Sequence, residues 1–174
     1  MADQNANLMD ILCTALDMKD KMRELYEKAL AACPDAIGRQ TFEMLAQSEK
    51  ENVEQLRRAQ EDVKGGNADS CRFVPENEDI KKKIRAIAAA QGLDHQICAD
   101  DVHALETGLK LEQEAVRFFE DKLAQASDDA EKRILENLVA EEREHHSVLA
   151  DLKYYFTDPK GWFMEKADVV LDGA

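Results

Sequence analysis

One shift of 93 positions lays the first half of this chain on the second (Leu16 onto Leu109), and both halves are patterned as long helices. The first segment, about 8–31, carries Leu8, Ile11, Leu12, Ala15, Met18, Met22, Leu25, Tyr26 and Ala29. Steps of three and four are the α-helical period. The second, about 38–64, carries Phe42, Leu45, Ala46, Val53, Leu56 and Val63, and Gly65-Gly66 stops it. The third runs from "ADDVHAL" to about 126 with Val102, Leu105, Leu109, Val116, Phe119 and Leu123; Asp100 or Asp101 is its expected cap. The fourth starts at "SDDAEKRI", where Asp128 and Glu131 match a capping box, and ends before Asp158-Pro159. Its stripe is Leu135, Leu138, Leu149 and Leu152. At the same offset Tyr26 falls on Phe119, Leu30 on Leu123, Leu45 on Leu138 and Leu56 on Leu149. Period alone aligns any one helix pair. A single offset that serves two pairs predicts two related helical hairpins, each giving half of any central site.

The expected fold is therefore all-α, a four-helix bundle of two hairpins with a long connection between helices two and three. The bundle is expected over 1–157, with an irregular or short-helical insert at about 65–99 in which "DIKKKIRAIAAA" forms the helical part and Gly92 ends it. A tail, 158–174, carries the lone Trp162 and is expected to lie back on the bundle. With 174 residues the chain has the length of one ordinary domain. Its 6% aromatic content, 7 glycines and 3 prolines favour helices over sheets. A net charge of -14 argues against nucleic acid as a partner. No apolar run approaches the roughly 20 residues of a membrane span, and no window reads as a secretory signal, so a cytoplasmic protein with no membrane partner is expected. Cys13, Cys33, Cys71 and Cys98 form no C-x-x-C pair, which argues against a cysteine zinc or iron site and leaves buried or idle thiols.

The apolar stripes are interrupted at matching places. Leu138, Glu142, His145 and Leu149 step by four, three and four, so the carboxylate and the imidazole share the inward face. Glu112 stands between Leu109 and Val116, and Glu49 between Leu45 and Val53. Buried carboxylates are costly unless paired, protonated or bound to a cation. Glu and neutral His together suit iron.

These segments carry a resemblance. "FEMLAQSEKENVEQL", "LKLEQEAVRFFEDKL" and "LVAEEREHHSVL" are similar to the second, third and fourth bundle helices of the ferritin-like superfamily, and most to its rubrerythrin branch. That resemblance implies Glu49, Glu112, Glu142 and His145 as metal ligands. Di-iron bundles take one Glu from each of two helices and Glu-x-x-His from each of the other two. Two of these six ligands are replaced here. The position of the first-helix glutamate is Lys19, the repeat mate of Glu112; the position of the second-helix histidine is Asn52, the repeat mate of His145. With no C-x-x-C pair of the rubredoxin type in this sequence, electrons are expected to come from a separate donor.

An ammonium among carboxylates balances charge without a metal and repels a cation placed beside it. Asn52 can donate to a carboxylate or ligate weakly. The sequence thus leaves two readings open. In one, a single iron or other divalent metal, rather than an intact di-iron centre, uses the remaining ligands, and the resemblance implies peroxide or ferrous iron as substrate. In the other, Lys19 pairs with the buried glutamates of a metal-free scaffold or interaction protein. A homodimer is expected in either case. Tyr26 is read as core with a hydroxyl that seeks a carboxylate, His146 as surface, and Glu141 and Glu144 as solvent-facing. His95, His103 and Glu106 carry no ligand assignment.

Overall fold

The computed structural model describes residues 2–67, 71–74, 80–91 and 99–171. His95, Cys98 and the expected stop at Gly92 lie outside these residues. The described chain is helical: α1 (Ala2–Ala32), α2 (Ala36–Lys64), α3 (Ile80–Gln91), α4 (Ala99–Gln125), α5 (Asp129–Thr157) and α6 (Pro159–Leu171). No strand occurs among the described residues.

Local chemistry sets the boundaries. Asp35 caps α2 by accepting from the Gly38 amide at 2.8 Å. Gly65 closes its other end, and Gly66, at φ 79, turns the chain away in the left-handed region. At α5 the Asp128 carboxylate accepts from the amides of Ala130 and Glu131. The second arm of the expected box does not form, because the Glu131 carboxylate instead accepts from Asn7 at 2.8 Å. α4 starts at Ala99, earlier than a cap at Asp100 or Asp101 allows, so both fall within its first turn. Asp158 accepts from the Gly161 amide at 2.9 Å, and Pro159 opens α6 where a missing N–H costs nothing.

Residue pairs give the helix directions. In the first hairpin Lys19 meets Glu49 and Tyr26 stacks on Phe42, so α1 and α2 are antiparallel. In the second, Glu106 meets Lys153 and Glu120 meets Arg143, with the same result for α4 and α5. Between hairpins, α2 opposes α5 through Gly38 beside Phe156 and Asn52 beside Glu141. α1 opposes α4, with Tyr26 between Gly108 and Glu112 and Cys33 near Asp101. Helices α2 and α4 therefore run the same way. The chain between them must return along helices about 40 Å long, at 1.5 Å per residue.

Leu12, Leu45, Leu56, Leu105, Leu138, Leu149 and Leu152 line one core and are fully buried. Each contributes about 1.5–3 kcal/mol of apolar burial. α3 sets Ile80 and Ile84 into the same core, and Cys71 and Phe73 are buried before it. In α6, Trp162 is buried edge-on to Tyr155, with ring centres 5.4 Å apart.

The turn after α1, the start of α2 and the end of α5 converge at Gly38. A β-carbon there would stand 2.6 Å from Cys33 Sγ and 2.8 Å from the Phe156 ring. Gly38→Ala should lower stability by about 1–3 kcal/mol in urea unfolding despite alanine's better helix propensity. An unchanged or raised midpoint would show that this junction yields.

Candidate metal centre

The inward faces of four helices meet at mid-bundle: α1 brings Lys19, α2 brings Glu49 and Asn52, α4 brings Glu112, and α5 brings Glu142 and His145. Lys19, Glu49, Glu112 and Glu142 are 0% exposed, His145 1% and Asn52 2%, so all six residues singled out from the sequence are interior. Ligand atoms of Glu49, Glu112, Glu142 and His145 lie within 4.8 Å of one another, a group that could hold a metal ion.

Lys19 stands inside that group. Its Nζ is 2.6 Å from Glu142 Oε1 and 2.9 Å from Glu49 Oε2. Burial pulls the amine towards losing its proton. Glu142 and Glu49, the carboxylates that pair with it, outweigh that pull and raise its pKa, so it remains an ammonium. Glu49 shows the converse. Burial would raise its pKa, but Lys19 and His145 hold it below the ordinary carboxylate value.

His145 is bonded on both ring nitrogens. Nδ1 lies 2.8 Å from Glu49 Oε1 and 3.7 Å from Glu112 Oε1; Nε2 lies 3.3 Å from Glu141 Oε1. Burial favours neutral imidazole, yet Glu49 and then Glu141 push the pKa well above its ordinary value. That shift favours the imidazolium, which has no lone pair for a metal until it gives up a proton. Glu112 moves the other way. Burial first, and the charge on Glu142 second, raise its pKa well above that of a free carboxyl, which favours the protonated form. The Tyr26 hydroxyl, itself raised by burial and by Glu112, donates to Glu112 Oε1.

Glu141 corrects the sequence reading. It was expected to face solvent, but it is buried; only Glu144 of that pair is exposed. The inward face of α5 is wide enough to take Leu138, Glu141, Glu142 and His145 together. Glu141 accepts from Ser48 at 3.0 Å and from Asn52 at 3.2 Å, and Ser48 Oγ lies 3.0 Å from His145 Nε2. Ser48 was missed as well. The signal was present: Ser48 and Glu141 are repeat mates, and each stands four residues before a flagged position, Asn52 or His145. His146 is half-buried rather than exposed. His103 is exposed, and Glu106 forms a surface pair with Lys153 at 2.9 Å.

A two-metal set does not fit these residues. Lys19 replaces one anionic ligand with a cation, and Asn52, where the second histidine would stand, is turned to Glu141. One ion fits the donor chemistry of the other four. Glu112 Oε2 and Glu142 Oε2 are buried without a hydrogen-bond partner. Such an ion requires His145 and Glu112 to deprotonate and the Lys19 ammonium to withdraw.

No protein-family model, curated protein or solved structure matches the chain.

Lys19→Met would leave Glu49 and Glu142 buried without their counter-charge, and should cost about 3–5 kcal/mol in urea unfolding at pH 7. A loss below about 1 kcal/mol would mean the amine does not balance the cluster. Acid adds a second test. Glu141 is held at about 2 against an ordinary 4.5, because its bonds to His145 outweigh burial. A depressed carboxyl stabilises the fold above the unfolded value and stops doing so as pH falls from about 4.5 through about 2. Glu141→Gln should flatten the stability profile in that window by on the order of 2–3 kcal/mol. An unaltered slope would remove Glu141 from the acid response.

Proposed function

We propose that this chain is a rubrerythrin-like member of the ferritin-like superfamily in which an internal ammonium does the electrostatic work of the metal centre. The observation that carries this reading is Lys19, fully buried and bridging Glu49 and Glu142 at 2.9 and 2.6 Å. The 93-residue repeat, the two antiparallel hairpins and the long path from α2 to α4 support the ferritin-like topology. In this reading the protein is a metal-independent scaffold or interaction protein, working as a homodimer in the cytoplasm. No helix among the described residues is long and apolar enough to cross a membrane.

The grouping of Glu49, Glu112, Glu142 and His145, with two carboxylate oxygens left unpartnered, favours a second reading. There the four hold one iron or another divalent cation. Iron bound at such a site supplies one-electron chemistry towards peroxide, or is itself the ferrous substrate, with electrons from a separate donor. The chain's own contribution is to bind and orient: Tyr26 fixes Glu112 by its hydroxyl, and Ser48 and Glu141 hold the outer nitrogen of His145.

Anaerobic purification followed by elemental analysis separates the two. The parent protein should carry well under one equivalent of iron per chain. Lys19→Glu combined with Asn52→His should take up Fe(II) or Co(II) at least tenfold more tightly. One tightly held iron in the parent would replace the first reading with the second. A double variant that binds metal no better than the parent would overturn the placement of these residues.

A further inference from the structure

Ser48 belongs to two features. Its hydroxyl touches the buried cluster, and it also lines a cavity of about 720 Å³ between α2 and α3. That volume falls within the roughly 300–1,000 Å³ of small-molecule sites. The cavity has an apolar side formed by Met44, Ile80 and Ile87. Its polar groups present mainly acceptors. A serine hydroxyl has one proton, and Ser48 commits it inward to Glu141 at 3.0 Å. With His145 Nε2 also on that oxygen, a lone pair remains for the cavity. The Gln47 amide nitrogen donates to Glu51, so the acceptor this side chain adds to the lining is its carbonyl oxygen. Glu43 and Glu51 add carboxylates, and Lys83 is the one cationic residue of the lining among the described residues.

A ligand that satisfies acceptors on one side and covers hydrocarbon on the other needs several donors on a short apolar body. We propose that the α2–α3 cleft binds a small primary ammonium ion with an apolar tail, its head bonded by Ser48, Gln47 and Glu51 and its tail against Met44, Ile80 and Ile87. An ammonium carries three donors and no acceptor, which matches this surface. Hydrogen bonds to charged partners are about twice as strong as neutral ones, so the charged head is preferred to an alcohol of equal size. The assignment does not depend on whether the centre holds a metal.

The test is a titration of the full chain with n-pentylammonium, 1-pentanol and pentanoate at equal ionic strength, read by calorimetry and by backbone amide shifts in α2 and α3. Pentylammonium should bind saturably, at least about tenfold more tightly than the other two, and shift amides near Ser48 and Ile87. Glu51→Gln, a change near the surface that leaves the buried cluster intact, should weaken it about five- to tenfold, and Ser48→Ala by a similar factor. Pentanoate binding as tightly or more tightly would assign the cleft to anions through Lys83. Equal binding of all three would make it an apolar crevice, and no saturable binding would make it no site. Each of these overturns the proposal, as does full affinity in Glu51→Gln.

Discussion

An ammonium ion has no place in the core of a helical bundle unless carboxylates meet it, and here the two requirements answer one another. Lys19 without Glu49 and Glu142 would be a charge stripped of water; the glutamates without Lys19 would repel at short range. The other protonation states follow from that pairing. Glu49, anchored by the amine, also engages His145 and favours its imidazolium. Glu112, further from a cation and close to Glu142, keeps its proton and takes the Tyr26 hydroxyl. The helices are thus tied at mid-height by directional contacts, above and below which the leucine layers supply non-directional burial. A charge carried on the polypeptide is also present in every molecule as it folds, whereas an ion must be captured.

The broken symmetry of the repeat has chemical sense. Glu112 has the phenol of Tyr26 as donor, while Tyr26's own mate is Phe119, a residue with no hydroxyl, in the half-chain that answers the one with Lys19. The Asn52 and His145 positions differ in charge, yet both face Glu141, one as a neutral donor and one as a cation. Lys19 and Asn52 therefore each meet a coherent set of partners.

Much of this was legible in the sequence. Helix period and the offset located four long helices, with only the start of α1 displaced by more than a turn; the interrupted stripes picked out Glu49, Glu112, Glu142 and His145, and the repeat offset with the family resemblance added Lys19 and Asn52, all of which are interior. What stayed hidden depended on neighbours. Glu141 looks like one of several surface acids until α2 places Ser48 and Asn52 opposite it. Glu131 looks like half of a capping box until Asn7, far away in sequence, claims its carboxylate. The α2–α3 cavity depends on where the insert helix settles, which periodicity in α3 alone does not specify.

The direction of the helices carries a last consequence. Because α2 and α4 run the same way, no tight turn can join them, and each hairpin is complete before the chain departs for the other. An exchange of second hairpins between two copies would remake the contacts between hairpins, Lys19 of one chain then clasping Glu142 of its twin. Whether the halves meet within one chain or between two becomes a matter of concentration and tether length, not of new surface.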